Sequence, residues 1–125
     1  MSIQLAVISL WAQDVPAAAH FYRDVIGLPL LAHHGGRPHF KLGEAFLTIL
    51  QGKPMPAQDP DPLRFPVLAL AVDDLEAALE NLRRHNVELP WGVESDEGMQ
   101  SNAASRWVMF HDPGGNLIEL VQFGR

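Results

Sequence analysis

Apolar residues in this chain fall into short blocks that switch between two periods. The block from Ile3 to Trp11 is brief, rich in branched residues and ends before Asp14, the pattern of a strand. DVPAAAHFYRDVIG follows. Asp14 is placed to cap orphan backbone amides, Pro16 suits a first helical turn and three alanines favour helix. Phe21, Tyr22, Val25 and Ile26 form its apolar stripe, and Gly27 is a natural stop. LPLLAHH then reads as a strand, HHGGRP as a turn, and HFKLG and AFLTILQG as two more strands.

Gly52 to Pro66 breaks the pattern. It holds five of the ten prolines, which cannot donate to a sheet ladder, and reads as a linker. Beyond it the plan repeats. Val67 to Val72 reads as a strand, and DDLEAALENLRRHN as a helix with Asp73 as cap, Glu76 at capping-box spacing and a stripe of Leu75, Ala78, Leu79 and Leu82. VELPW reads as a short strand and GVESDEGMQSNAA as a polar loop, a lid candidate because it carries two glycines and ends beside Trp107. SRWVMFH and NLIELVQF flank the turn DPGG as an antiparallel hairpin. Each half is thus strand, helix and three strands, and Asp14 and Asp73 mark the repeat. Neither half can bury both faces of its own sheet. Pairing the sheets, within one chain or between two, would close a cleft.

Composition narrows the function classes. A chain of 125 residues with 47% hydrophobic content builds a real core, either as one domain or as two small halves sharing one. A formal charge of -6 disfavours nucleic acid as a partner. The lack of cysteine excludes disulfides, thiolate metal sites and a cysteine nucleophile. No apolar run is long enough to span a membrane, and no basic region precedes the first one, so a cytoplasmic protein is expected.

Three stretches carry a family resemblance: DVPAAAHFYRDVIGLPLL, LALAVDDLEAAL and VMFHDPGGNLIELVQF. Together they resemble the glyoxalase, bleomycin-resistance and extradiol-dioxygenase superfamily, also called vicinal oxygen chelate, over nearly the whole chain. The resemblance implies an α+β fold of paired βαβββ modules whose mixed sheet forms a cup around a cleft. The modules would span 1–51 and 67–125, joined by the linker 52–66. It also implies a homodimer, sometimes with modules paired across chains. Metal enzymes of the family usually hold a divalent ion with side chains from the first and last strands of each module. Those positions here are Val7, Thr48, Val67 and Glu119. Valine offers no donor, threonine is a poor ligand, and one carboxylate holds a dilute metal poorly, so no metal or other cofactor is expected.

In the family register Glu119 faces the cleft with Leu117 and Val121, while Ile118 and Leu120 pack beneath the helices. Val7, Ser9 and Trp11, then Phe46, Thr48 and Leu50, and Val67, Ala69 and Ala71 would line the same cavity. Trp91 and Trp107 would add flat walls, or serve as core. A lone carboxylate there would be partly desolvated and its pKa raised, unless Ser9, Thr48 or an arginine donates to it. Glu119 could bind a cation or hydrogen-bond donor, act as a general base, or be structural. Arg106 could meet an anionic group or ride at the surface. Among the histidines, His20 should pair with Asp24 one helical turn on, and His85 suits a helix C-terminus. His111 reads as structural in the turn. His33, His34 and His39 flank a hairpin end, where they are polar surface, a ligand contact or a displaced metal site. The sequence therefore points to a metal-independent protein that binds a small flat organic molecule in an apolar cleft. The alternative is a lyase, isomerase or dioxygenase-like enzyme that uses Glu119 as base or a non-standard metal site.

Overall fold

The computed structural model describes residues 2–34, 37–52, 67–97 and 104–124, with residues 32–34 described by their backbone alone. Most of the proline-rich linker and the tip of the expected lid, including Asn102, lie outside these residues, as do the side chains of His33 and His34. Along the chain run β1 (Val7–Ala12), α1 (Val15–His20), which continues as a π-helical turn (Phe21–Ile26), β2 (Leu30–His34), β3 (Arg37–Leu42), β4 (Ala45–Gln51), β5 (Leu68–Ala71), α2 (Leu75–Arg84), β6 (Val93–Asp96), β7 (Ser105–His111) and β8 (Leu117–Phe123). They form two four-stranded mixed sheets of the same plan, in the orders β1-β4-β3-β2 and β5-β8-β7-β6. In each the first strand pairs parallel to the last and the others pair antiparallel. This is the α+β fold of two βαβββ modules.

The repeat extends to the register. Ser9 pairs with Thr48 as Ala69 pairs with Glu119. The helix caps follow the same spacing. Asp14 accepts a 3.0 Å bond from the Ala17 amide, and Asp74, not Asp73, accepts one of 3.1 Å from Ala77. Tertiary bonds decide between the adjacent aspartates. The parallel ladder runs on through the Val72 amide to the Val121 carbonyl at 2.8 Å, and Gln122 Oε1 accepts from the Leu75 amide at 2.7 Å. Extended backbone is therefore fixed up to Val72, and the first helical amide is fixed at Leu75. The capping box does not form, and the Glu76 carboxylate meets Arg106 instead. With Asp74 as cap, Val67 stands in the same relation to its helix as Val7 does to α1.

The chain divides into two compact units, Met1–Pro56 with Pro113–Asn116, and Ala57–Asp112 with Leu117–Arg125. In the first, the π-helical turn drives Phe21, Tyr22 and Val25 into the core. The Tyr22 ring lies 6.1 Å from Phe40, which assigns Phe40 and its register partner Leu47 to the helix side of the sheet. Gly27 closes this helix with φ 92°, as its position predicted. In the second unit, Gln122 contacts α2, so Ile118 and Leu120, in phase with it, face the helix; both are buried with Val108, Phe110 and the Leu75, Leu79 and Leu82 stripe.

Several strand limits differ from the sequence reading. β1 starts at Val7 rather than Ile3, where its pairing with Phe46 begins. β3 starts at Arg37 rather than His39, because pairing with His34 continues to the hairpin end. Residues 87–91 are not a strand. Pro90 lacks an amide hydrogen, and Gly92 turns the chain at φ 66° with its N–H bonded to the Leu89 carbonyl. The strand is instead Val93–Asp96, inside the stretch read as loop, paired with β7.

Candidate functional site

In the second unit the residues out of phase with the helix side make the other sheet face, on which Leu117 and Val121 are buried and Ala69 and Ala71 are exposed. Across it, Ala69, Glu119 and Met109 stand in register, as do Ala71, Val121, Trp107 and Glu94. Ala69 and Ala71 are exposed, and Glu119, Met109, Trp107 and Glu94 are half-buried. The floor beside Glu119 is therefore alanine, valine, thioether and indole. Burial holds the Glu119 carboxyl above its ordinary range, and the negative charge of Glu94 pushes it further the same way. The direction matches the sequence expectation; the part played by Glu94 does not appear there, since the sequence pattern places that residue in a loop. Alternation along SRWVMFH was sufficient to find Met109 beside Trp107.

Trp91 stands apart from this row. It lies in the turn before β6, its ring 5.9 Å from that of His111. His111 thus contacts an indole at the end of the same face, a contact absent from its reading as a turn histidine. Val67 precedes β5 and is half-buried. Arg106 faces the other way. It is in phase with Val108 and Phe110, and its guanidinium is paired with Glu76 on α2. It supplies no charge to the Glu119 face.

The expected residues of the first unit also share one face. Val7 pairs with Phe46, Ser9 with Thr48 and Trp11 with Leu50, all opposite the helix side. Val7 and Trp11 are 49% and 47% exposed, so this face is open. Thr48 is not a free donor: it is buried, and its hydroxyl donates to the Pro38 carbonyl at 3.0 Å. The Trp11 indole lies so close to Gly52 that a Cβ there would overlap the ring. The Trp11 backbone is also held. Its carbonyl accepts from Asn116 Nδ2 at 2.9 Å, and Gly114 packs against the same carbonyl and Ala12. The turn of DPGGN therefore has a structural duty. Gly115 takes the left-handed φ of 86°, Gly114 permits close approach and Asn116 makes the bond.

The sequence model of the Glyoxalase/Bleomycin resistance protein/Dioxygenase superfamily matches residues 4–120. The chain belongs to this superfamily. It is similar to the uncharacterized protein YaeR of Escherichia coli (strain K12), at 28% identity over 95% of each chain. Among solved structures it is similar to VPC_CASS1, from the mobile metagenome of V. Pseudocholerae, with TM-score 0.75 and 27% identity over 100% of this chain and 98% of that one. It is also similar to TnmS3, an antibiotic binding protein from Streptomyces sp. CB03234, with TM-score 0.70 and 27% identity over 99% of each chain.

For this superfamily member the donor set at the metal positions decides whether a divalent ion fits. Val7 and Val67 carry no donor atom, and the Thr48 hydroxyl is committed to Pro38. Glu119 is the remaining donor, and one carboxylate does not make a divalent site. Among the described residues no group of three or more His, Asp or Glu converges elsewhere. No described helix is long and apolar enough to cross a membrane.

Proposed function

We propose that this protein is a metal-independent binder of a small, flat organic molecule. In this reading the molecule rests on the open face of the second sheet, with Glu119 accepting a hydrogen bond from it or facing its positive charge. The observation that carries the reading is the setting of Glu119: a half-buried carboxylate whose register neighbours are Ala69 and Met109, with Val121 and Trp107 in the next row. Such a group gains when a ligand replaces its lost hydration with a directed donor. Trp107 offers a flat apolar wall and Met109 an adaptable one. The likeness to an antibiotic binding protein at 27% identity supports a binding role.

Two measurements test it. Protein purified without chelators is analysed for bound metal, and stoichiometric zinc, nickel, iron or manganese would sink the metal-independent reading. A panel of planar aromatic amines is then titrated against tryptophan fluorescence. Saturable quenching that weakens in Glu119→Gln is expected; equal affinity in both proteins would remove Glu119 from the site.

The raised pKa of Glu119 favours a second reading, an enzyme of the lyase or isomerase kind with this carboxylate as general base, because a base held above the ordinary carboxylate range accepts a proton more readily. Any turnover found should then vanish in Glu119→Gln with the fold intact. We also propose a cytoplasmic homodimer. The edge position of β1 and the exposure of Ile3, Leu5 and Val7 support association. Light scattering at working concentration checks it, and a monomer would count against it.

A further inference from the structure

We propose, resting on the binding role inferred above for Glu119, that Glu94 is a second anchor of that same site and that the ligand is a flat aromatic dication. Of the four residues of β6, Glu94 alone is half-buried, while Val93, Ser95 and Asp96 are exposed. Its register gives the reason. Glu94 pairs with Trp107 on β7, and Trp107 pairs with Val121 on β8, two residues from Glu119. Paired residues of neighbouring strands share a face, so Glu94, Trp107, Val121 and Glu119 lie together on the side of the sheet opposite α2.

The spacing suits a ligand held at both ends. Glu94 stands two strands from β8, about 10 Å across the sheet, and one two-residue step, about 7 Å, along it from Glu119. Between them β7 contributes Trp107, beside Glu94, and Met109, beside Glu119. A flat ring laid on this indole and thioether has a carboxylate beyond each end. Neither carboxylate has a hydrogen-bond or ion-pair partner among the described residues. No lysine or arginine occurs among the described strand residues of this face: Arg106 is turned to Glu76 on the other side, and the ring of His111 lies against Trp91. Asp96, the remaining acid of the face, is exposed beside Ser105. Glu94 and Glu119 therefore act on each other with no cation between them, and the Glu119 carboxyl is pushed up by its burial first and by the charge of Glu94 second. A ligand with one positive group relieves one carboxylate, and a ligand with two relieves both. A neutral or anionic ring relieves neither, so the face ranks ligands by positive charge.

The test uses three probes built on one ring: p-xylylenediamine, a dication, benzylamine, a monocation, and benzyl alcohol, which is neutral. Each is titrated by calorimetry and by amide NMR shifts into the full chain and into variants. p-Xylylenediamine should bind at least about tenfold more tightly than benzylamine, with shifts on β6, β7 and β8, and benzyl alcohol should bind most weakly. Glu94→Gln should remove the advantage of the dication, and Glu119→Gln should weaken both amines. Added salt should narrow the advantage. Glu80→Gln takes the same charge from α2, on the opposite side of the sheet, and should leave the advantage intact. Urea unfolding checks that the variants remain folded. Equal affinity for p-xylylenediamine and benzylamine, or an advantage that survives Glu94→Gln, would overturn the proposal; benzylamine binding that still depends on Glu119 would then leave the binding role of Glu119 standing. Binding of none of the three probes would overturn both.

Discussion

Gly114→Ala probes the contact that holds the start of β8, three residues from Asn116 to Glu119. Gly114 does not need a left-handed backbone; it needs the absence of a side chain. A Cβ there would overlap the Trp11 carbonyl oxygen and come within 3.2 Å of Ala12 Cα and Asn116 Nδ2. Two of these neighbours are backbone, so the relief must come from the turn. Reaching ordinary contact requires a retreat of roughly 1 Å. That motion takes the Asn116 Nδ2 bond to Trp11 from 2.9 Å out of hydrogen-bonding range. The lost bond costs about 1 kcal/mol and the overpacking about 1–3 kcal/mol. Alanine's smaller unfolded-state entropy returns about 0.4–1 kcal/mol. The net expectation is a loss of about 1–3 kcal/mol, and at about 4 °C per kcal/mol a fall in Tm of about 4–12 °C.

Thermal and urea unfolding followed by far-UV circular dichroism measure this loss. The decisive form is a double-mutant cycle. Asn116→Ala alone should cost about 1 kcal/mol. Combined with Gly114→Ala it should add only a few tenths of a kcal/mol, because the same bond is already broken. A Gly114→Ala protein within about 0.5 kcal/mol of the original, or strict additivity with Asn116→Ala, would refute the reasoning.

Other expectations follow from the same contacts. Glu119 has a folded-state pKa above the ordinary glutamate value of 4.5, so the folded state binds its proton more tightly than the unfolded state does. This group's contribution to stability therefore falls as pH rises from 4.5 toward its folded value, and Glu119→Gln should raise Tm at pH 7 while the gain disappears below pH 4.5. A Tm gain independent of pH would show that ionisation is not the cause. Asp74→Ala should lose about 1 kcal/mol of stability in urea unfolding, whereas Asp73→Ala should lie within about 0.5 kcal/mol of the original; the reverse order would return the cap to Asp73. Gln122→Ala should cost about 0.5–2 kcal/mol by leaving the Leu75 amide without its acceptor, with hydrogen exchange at that amide as the direct readout.

These residues also show which links were legible in the sequence. Periodicity located both helices and most strands, because a buried stripe or an alternating face repeats its signal over many positions. β6 carried no such signal. It is a four-residue edge strand, Val93–Asp96, whose polar composition is that of a loop until β7 supplies its partner. Missing it hid Glu94, and with Glu94 the second cause of the Glu119 shift. Asp73 and Asp74 are equal by propensity; a glutamine 48 residues beyond Asp74 decides between them. The start of β3 was obscured in a similar way, since a strand begun at His39 leaves Arg37 in the turn.

A physical reason underlies the contrast between a legible fold and a less legible site. The most recognisable motif, DPGGN, is fixed by close backbone approach: Gly114 against Trp11, Gly115 at φ 86° and Asn116 on a carbonyl. None of these three residues offers a side chain to a ligand on either open face. Residues that do face outward, such as Met109, Glu94, Arg37 and Lys41, are under no such backbone constraint. They can change without loss of the sheet, so the fold motif does not specify them. Glu119 lies between the two classes. It is delivered by the motif's strand, but its ionisation is shifted by burial and by the charge of Glu94, neighbours the motif does not specify.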